Sequence, residues 1–532
     1  MEWYWAVAVL LGSILILMAI GLPVGVAFLA VNMVAAIYFL GGSGTLIEQA
    51  ERGIGALGAN AFESMANFAL VPIPMFLLMG ELFFHTDLAT RMFNAVEKLM
   101  GRVPARLSYV TVAGGTAFAT LSGSSMGSTA LLGTLMVPEM SKRGYKKSMS
   151  IGPILGTGGL AMLIPPSALA VLLGTLAELD IGKLLIAGVI PGLILATMYV
   201  LLIYVRTKID PEAAPAYDIE YIPWGRRLAL FSVDVLPMVS IVIGVIVLIM
   251  GGIATPSEAA AFGCLGVVIL AVIYVFFPPV AKVLRRRFEQ RANGTPARQG
   301  GAYWAALLAY LVPRLVGIML ALAIVALLSP ALAVAKRGSP GARKWIMALH
   351  FSLHEWTLFT PTKFFGVATW KSLMGAARVT VMAMLILFGS STFSQILAFS
   401  GGSNGLIEWA TSFEVTGTTM LLMMFGILLI LGMFMDQLAM MLLTVPIFFP
   451  LAAKFGFDPI WFGMIILLAL EISFTTPPFG LLLFVMQGVA PPGTRFSEIC
   501  WAAIPFMLCA MALVTLVVIF PGIATWLPSV KF

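Results

Sequence analysis

The chain has 532 residues, of which 60% are hydrophobic and only 10% are charged. Soluble proteins carry about 25% charged residues, so this composition excludes a soluble globular domain and indicates a polytopic membrane protein. A membrane span needs roughly 20 apolar residues, which leaves room for about a dozen spans. We interpret the net charge of +7 as the basic bias of cytoplasmic loops, and we expect no nucleic-acid partner.

The rarer residue types argue against a disulfide-stabilised fold and against a metal centre built from thiols or imidazoles. The three cysteines have no paired spacing and lie in or beside apolar runs, so we expect buried thiols. The three histidines form no cluster. Residues 1–5 lack a basic segment, so we expect a first span and not a cleaved signal peptide.

The first half contains an uncharged polar stretch, Thr120–Thr129, between two apolar arms. Basic clusters at 91–106 and 142–147 flank this region on both sides. Because positive loops prefer the cytoplasm, we predict that 107–140 is a re-entrant hairpin with the polar stretch at its tip. A single long kinked span is the alternative. Other spans of this half are predicted at 5–20, 24–40, 68–84 and 184–205, with an interfacial segment at 41–67.

The apolar region 151–179 follows this hairpin and contains two potential breaks. Gly156-Thr-Gly-Gly159 and Pro165-Pro166 both interrupt it, so we predict a discontinuous helix broken at both places. In transporters with broken helices, unwound carbonyl groups at membrane depth are ligands for Na⁺.

The second half opens with spans predicted at 235–250 and 259–277. Between them, Thr255 and Glu258 have the spacing of a capping box, so we interpret Glu258 as a structural cap rather than as a ligand.

Residues 278–365 are the most polar part of the chain and are interpreted as an insertion. They hold a clear apolar run at 304–335 and a weaker one at 345–360. The flanking topology requires an even number of crossings here, so either both runs cross the membrane or neither does.

The end of the chain repeats the arrangement of a hairpin followed by a broken helix. We predict a hairpin over 420–452 with its break at Gly432–Gln437, and a discontinuous helix over 460–489 broken at Thr475–Gly480. Spans over 372–399 and 499–521 and an interfacial segment over 401–417 complete this half.

An internal repeat relates the two halves. Gly144 precedes Pro165-Pro166 by 21 residues, and Gly456 precedes Pro477-Pro478 by the same 21. The loop after the first hairpin is strongly basic and the loop after the second is not, which places them on opposite sides of the membrane. The predicted fold is therefore an all-α polytopic membrane protein with two inverted-topology repeats. The first repeat covers 1–230 and the second covers 231–277 and 366–532.

The two breaks offer oxygen atoms that suit a hard cation such as Na⁺. The first supplies hydroxyls and glycine carbonyls, and the second supplies Asp436, an acid in an apolar run, with Gln437, Thr475 and Thr476. Small-residue helix packing is the alternative for the serines, and a helix cap is the alternative for Asp436. Glu471 is expected to pair with a neighbouring polar group, with ion coupling as the alternative.

Enzymatic activity has little support in the sequence. Gly123-Ser-Ser-Met-Gly127 matches the G-x-S-x-G pattern, but that motif needs a strand-turn-helix and a histidine-acid pair. A membrane-embedded serine hydrolase using Ser125 is therefore a remote alternative. The chain has neither H-E-x-x-H nor a P-loop, so a metalloprotease and ATP-driven transport are not supported.

Four motifs together resemble the large membrane subunit of the tripartite ATP-independent periplasmic (TRAP) transporters. They are Ser122-Gly-Ser-Ser125, Ile164-Pro-Pro-Ser167, Ala254-Thr-Pro-Ser-Glu-Ala-Ala260 and Thr475-Thr-Pro-Pro-Phe-Gly480. The similarity runs from Trp5 to Leu527 and omits the insertion, which departs from the family pattern.

This resemblance implies a bacterial inner-membrane, multi-pass permease that is similar in fold to the divalent-anion/sodium symporters and moves as an elevator. It implies Na⁺-coupled import of a carboxylate, such as a C4-dicarboxylate or a sugar acid, with no cofactor. The implied partners are a small four-helix membrane subunit, a periplasmic substrate-binding protein and the lipid bilayer. A stand-alone sodium/anion symporter of the same fold is the alternative.

The resemblance also implies a set of site residues near the hairpin tips and helix breaks. The sodium ligands expected are Ser122, Gly123, Ser124, Ser125, Gly156, Thr157, Gly158, Asp436, Gln437, Thr475 and Thr476. The substrate-binding residues expected are Ser124, Ser125, Ser128, Thr129, Pro165, Pro166, Ser167, Pro477 and Pro478.

Overall fold

The computed structural model describes residues 2–101, 103–217, 227, 230–292, 362–412, 415–477 and 480–530. Every regular element in these ranges is a helix, in agreement with the all-α prediction. The chain divides into two compact units, one formed by Met1–Gly266 with Met374–Phe532 and the other by Val267–Leu373. All the predicted site residues belong to the first unit.

The first half begins with spans, continues with a hairpin and a broken helix, and ends with two further helices. Its helices are α1 (Trp3–Ala19), α2 (Val24–Phe39), α3 (Leu46–Met65), α4 (Pro72–His85), α5 (Leu88–Met100), α6 (Arg106–Ser122), α7 (Ser125–Lys142), α8 (Lys147–Leu163), α9 (Ala168–Leu176), α10 (Ile181–Ala187) and α11 (Val189–Ile209). Short 3₁₀ segments at Phe68–Leu70 and Pro211–Ala213 precede α4 and follow α11.

The second half follows a π-helical turn at Phe231–Val235. Its described helices are α12 (Leu236–Met250), α13 (Pro256–Ala292), α14 (Thr362–Phe399), α15 (Gly402–Thr411), α16 (Gly417–Phe434), α17 (Gln437–Lys454), α18 (Pro459–Thr475), α19 (Leu481–Val489), α20 (Phe496–Ile519) and α21 (Gly522–Ser529).

Seven helical segments in the described ranges are long and apolar enough to cross a membrane, and the bent pair α8–α9 makes an eighth. Glu258 caps α13 as predicted, because its carboxylate accepts a hydrogen bond from the Thr255 amide at 2.8 Å. Helix α13 continues past the predicted end of its span at residue 277, through a segment rich in good helix formers. Both apolar runs of the predicted insertion fall in 293–361, outside the described residues.

Helices α6 and α7 form an antiparallel hairpin whose tip is the predicted polar stretch. Gly123 has a left-handed φ of +58°, which ends α6, and Ser124 caps α7 by accepting a hydrogen bond from the Gly127 amide at 3.1 Å. Gly115 on one arm packs against Leu132 on the other, at a similar distance from the tip. The arms therefore run back along each other, and the alternative of a single kinked span is wrong.

The two ends of this hairpin meet at one end of the first unit. The Leu107 amide donates a hydrogen bond to the Tyr145 hydroxyl at 3.3 Å. The buried guanidinium of Arg106 and that of Arg143 both pair with Glu97, at 3.4 and 3.7 Å. Burial raises the pKa of Tyr145 to about 12. The basic clusters on either side of the hairpin thus share one side of the protein.

Helices α16 and α17 form a second hairpin with its break at Met435 and Asp436. Met435 is extended, and Asp436 caps α17 by accepting a hydrogen bond from the Ala439 amide at 2.9 Å. Across the hairpin, a Cβ at Gly432 would lie 3.2 Å from the sulfur of Met440. The second predicted hairpin is therefore present.

Helix α8 runs without interruption through Gly156–Gly159, so the prediction of a break at these glycines is wrong. The glycines allow close packing instead. A Cβ at Gly156 would lie 2.8 Å from the Phe506 ring, and one at Gly159 would overlap the Glu471 side chain. The helix breaks only at Ile164–Ser167, where α8 and α9 meet at a bend of 45°.

The two broken helices have matching dimensions. Helices α8 and α18 contain 17 residues each, and the short helices α9 and α19 that follow contain nine each. Each short helix packs on the second arm of the other half's hairpin, α9 on α17 and α19 on α7. These lengths and contacts support the internal repeat, while the opposite orientation of its copies stays a prediction.

Candidate functional site

The tip of the first hairpin gathers three of the predicted serines into one hydrogen-bonded cluster. The hydroxyls of Ser122 and Ser128 lie 2.7 Å apart, and the Ser128 hydroxyl donates to the Ser124 carbonyl at 2.8 Å. The Gly123 backbone faces the break in α8–α9, because a Cβ there would lie 4.0 Å from the Pro166 carbonyl oxygen. The fold therefore places the hairpin tip beside the helix break, as the sequence predicts.

Ser125 and Thr129 lie on the side of α7 that packs against α8. They are 4% and 0% exposed, and neither hydroxyl has a hydrogen-bond partner among the described residues. Gly158 lies against them, since a Cβ there would overlap the Thr129 hydroxyl and lie 3.4 Å from the Ser125 carbonyl oxygen. A buried hydroxyl without a hydrogen-bond partner costs about 1–3 kcal/mol of stability. A bound ion that contacts both hydroxyls would remove this cost.

The other two predicted ligands in α8 are engaged elsewhere. The Thr157 hydroxyl donates to the Pro153 carbonyl at 2.8 Å within the helix, and Gly156 faces Phe506. Because α8 is continuous here, the carbonyl groups of 156–158 accept ordinary helical hydrogen bonds and are not unwound.

At the break between α8 and α9, the side-chain hydroxyl is engaged in a helix cap. The Pro165–Pro166 peptide is cis. The Ser167 hydroxyl accepts a hydrogen bond from the Ala170 amide at 3.3 Å and is almost fully buried. Ser167 therefore serves as the N-cap of α9.

The second hairpin tip reaches into the first half of the chain. Asp436 is half-buried and acts as a helix cap, which is compatible with a further role as an ion ligand. The Gln437 side-chain amide contacts the sulfur of Met162 in α8 at 3.3 Å.

The end of α18 carries the remaining predicted hydroxyls. Those of Thr475 and Thr476 both donate to the Ile472 carbonyl, at 3.1 and 2.7 Å. Their oxygen lone pairs therefore remain available to a cation. Pro477 follows and is half-buried, whereas Pro478 lies outside the described residues.

Glu471 is buried in the first unit and accepts a hydrogen bond from the Tyr199 hydroxyl at 3.3 Å. The expected pairing of Glu471 with a polar neighbour is confirmed. Its other carboxylate oxygen has no partner among the described residues. Tyr199 is absent from the predicted site, and the available signal was a tyrosine hydroxyl in the middle of an apolar run.

A cavity of about 330 Å³ opens beside the first hairpin tip, between α4 on one side and α6–α7 on the other. Ser122, Ser124 and Thr134 line it from the hairpin, and Glu81 lines it from α4. Its volume is near the lower limit for small-molecule sites, about 300 Å³. Glu81 is absent from the predicted site, although an acid inside a predicted span is a known signal of function.

Paired helical hairpins and broken helices, with polar tips between apolar helices, define a membrane transporter. The model of one protein family, the DctM component of the tripartite ATP-independent periplasmic transporters, matches residues 11–336 and 280–523. The chain belongs to this family. It is a multi-pass large permease of the bacterial inner membrane and not an enzyme.

Similar proteins agree with this assignment. The C4-dicarboxylate TRAP transporter large permease DctM of Pseudomonas aeruginosa is 26% identical, over 92% of this chain and 93% of the relative. The isethionate TRAP transporter permease DctMQ of Oleidesulfovibrio alaskensis is 24% identical, over 97% of this chain and 65% of the relative. Among solved structures, the YdaH transporter of Alcanivorax borkumensis aligns with a TM-score of 0.53 at 12% identity, over 94% of this chain and 99% of that one. This last likeness shows the fold alone.

Proposed function

We propose that this permease is the large membrane subunit of a sodium-coupled, binding-protein-dependent importer of a small organic acid. Membership of the family supports import of an acid, because the two similar permeases are named for C4-dicarboxylate and isethionate, which are both small organic anions. The matching hairpins and broken helices support an inverted-repeat, elevator-type movement.

The observation that carries sodium coupling is the unpaired state of two buried hydroxyls, those of Ser125 and Thr129, against Gly158. Na⁺ is a hard cation that prefers several oxygen ligands. These two hydroxyls would contribute to holding it at the first tip. Asp436, with Thr475 and Thr476, would hold a second ion near the second tip.

The substrate's acid group would bind beside these tips without an arginine. Helix α7 begins at the first hairpin tip, and a helix N-terminus favours an anion through its free amide groups and its dipole. Ser124 supplies a hydroxyl at this N-terminus.

The partners follow from the family. A small four-helix membrane subunit would complete the complex, and a periplasmic binding protein would deliver the substrate. The DctMQ relative extends well beyond the part that this chain matches. This is consistent with a fused small subunit in that protein.

The experiment replaces Thr129 by valine, which has the same shape without the hydroxyl. We expect Thr129→Val to weaken the Na⁺ dependence of uptake about tenfold in proteoliposomes that contain both membrane subunits and the binding protein. Stability should be unchanged or higher, because an unpaired buried hydroxyl is removed.

The matched control is Thr197→Val. The Thr197 hydroxyl is exposed and already donates to the Leu193 carbonyl at 2.8 Å, so its loss should leave uptake unchanged. Unaltered Na⁺ dependence in Thr129→Val would contradict the sodium site. Uptake by the large subunit alone would contradict the tripartite assembly.

A further inference from the structure

Glu81 lies in the wall of the 330 Å³ cavity that faces the first hairpin tip. Helix α4 crosses this tip at backbone contact, because a Cβ at Gly80 would lie 2.5 Å from the Ser122 Cα. The next residue, Glu81, is thereby held beside the same cavity that Ser122 and Ser124 line from the other side.

The Glu81 carboxylate is fixed in this position by two neighbours. His85, one turn along α4, contacts it through Nε2 at 3.3 Å. The backbone of Gly375 in α14 packs against it, since a Cβ at Gly375 would lie 2.6–2.9 Å from the carboxylate atoms. The side chain is 33% exposed, so it is oriented by packing and still open to the cavity.

Among the described residues that line this cavity, Glu81 is the only ionisable one. The rest are hydroxyl, glycine and apolar residues. A ligand whose only charges are carboxylates would face a like charge here, in a site of low polarity where that repulsion is strong. A ligand with a cationic group would instead gain a charge-assisted hydrogen bond.

We propose that this cavity binds an organic acid that also carries an ammonium or similar cationic group, and that Glu81 selects for that group. The acid end lies at the Ser122–Ser124 tip and the cationic end lies at Glu81, which His85 orients. The proposal rests on the proposed function and adds the substrate class to it.

The test compares acids that differ only by an amino group. Three pairs serve as probes: succinate with aspartate, glutarate with glutamate, and butyrate with 4-aminobutyrate. Binding is measured by equilibrium dialysis, with and without Na⁺, on the full-length chain in lipid nanodiscs with its small subunit. We expect the tightest Na⁺-dependent ligand to be an aminated acid, preferred about tenfold over its partner.

Glu81→Gln should abolish this preference, and Glu81→Asp should retain most of it. Glu63→Gln is the matched control, because Glu63 is an exposed carboxylate on α3 outside the cavity. Equal or tighter binding of the acids without an amino group, or a preference that survives Glu81→Gln, would overturn the proposal and leave the proposed function standing. Absence of Na⁺-dependent binding of all six acids would also overturn the proposal, whereas the proposed function fails only if uptake in the complete proteoliposomes is independent of Na⁺.

Discussion

Ser124 and Asp436 occupy equivalent positions in the two hairpins. Each caps a helix, and each is also a predicted sodium ligand. Each is the N-cap of the second arm, accepting a hydrogen bond from the backbone amide three residues later. The hydrogen bond of the cap uses one lone pair of the side chain, so other lone pairs remain available to a cation. Substitutions that keep the helix cap and remove the sodium ligand can separate these two roles.

At Asp436, asparagine keeps an acceptor for the cap and removes the charge, whereas alanine removes both. We expect Asp436→Asn to fold normally and to lower the apparent Na⁺ affinity of uptake. Asp436→Ala should do the same and also cost about 1 kcal/mol of stability through loss of the cap. Ser124→Ala should likewise reduce Na⁺-dependent uptake with folded protein at nearly normal levels.

Thr416 provides the control for these variants. It caps α16 at the far end of the second hairpin, where its hydroxyl accepts from the Thr419 amide at 3.3 Å. Thr416→Ala should cost similar stability without changing Na⁺ dependence. If Ser124→Ala and Asp436→Asn leave the Na⁺ dependence of uptake unchanged, these residues are caps only.

At the scale of single elements, α8 shows that tertiary packing decides whether a glycine breaks a helix or allows a close helix contact. The same residue type favours helix breaks in an isolated peptide and close helix contacts in a folded protein. Gly156, Gly158 and Gly159 each face a neighbour that a methyl group would strike, respectively Phe506, Thr129 and Glu471. The glycines thus bring α8 close to α20, α7 and α18.

This packing predicts opposite effects for two glycine-to-alanine changes. Gly159→Ala should destabilise the protein by about 1–3 kcal/mol, because the new methyl group overlaps the buried Glu471 side chain. Gly426→Ala in α16 should stabilise it by about 0.5–1 kcal/mol, since no atom lies within 4 Å of the added carbon and alanine favours the helix. Thermal denaturation of the purified variants would measure both, and equal effects would contradict the close contact at Gly159.

At the scale of the whole molecule, the repeat is visible in matching turns as well as in matching helices. Gly144 and Gly456 end the two hairpins with nearly equal left-handed φ values of +78° and +72°. Ser141 and Ala453 each precede the corresponding glycine by the same number of residues. Both are exposed and lie in the last turn of a hairpin arm. If the repeats are inverted, these equivalent positions lie on opposite sides of the membrane.

Cysteine labelling tests this inversion. In a variant whose native cysteines are replaced by serine, we expect Ser141→Cys to react with a membrane-impermeant thiol reagent only from the cytoplasm. Ala453→Cys should react only from the periplasm. Helical positions suit the assay better than the glycines themselves, where a cysteine would be strained by the positive φ. Labelling of both from the same side would contradict the inverted topology.

The sequence by itself determined the class of protein, the hairpins and their tips, and the position of most helices. Those features follow from local patterns: apolar runs of span length, basic flanks, and polar residues such as Thr120–Thr129 that interrupt them. The capping box at Thr255–Glu258 is equally local, and the structure contains it unchanged.

Only the tertiary structure decided what the glycines of α8 do and which charged groups face the hairpin tips. Gly158 allows a close helix contact because Thr129 of α7 packs against it. The spacing of residues along the chain does not reveal this contact. Glu81 precedes the tip by about forty residues and meets it only because α4 crosses α6 at Gly80. Contacts between distant segments arise from the packing of whole helices, so the local pattern around each residue does not contain them.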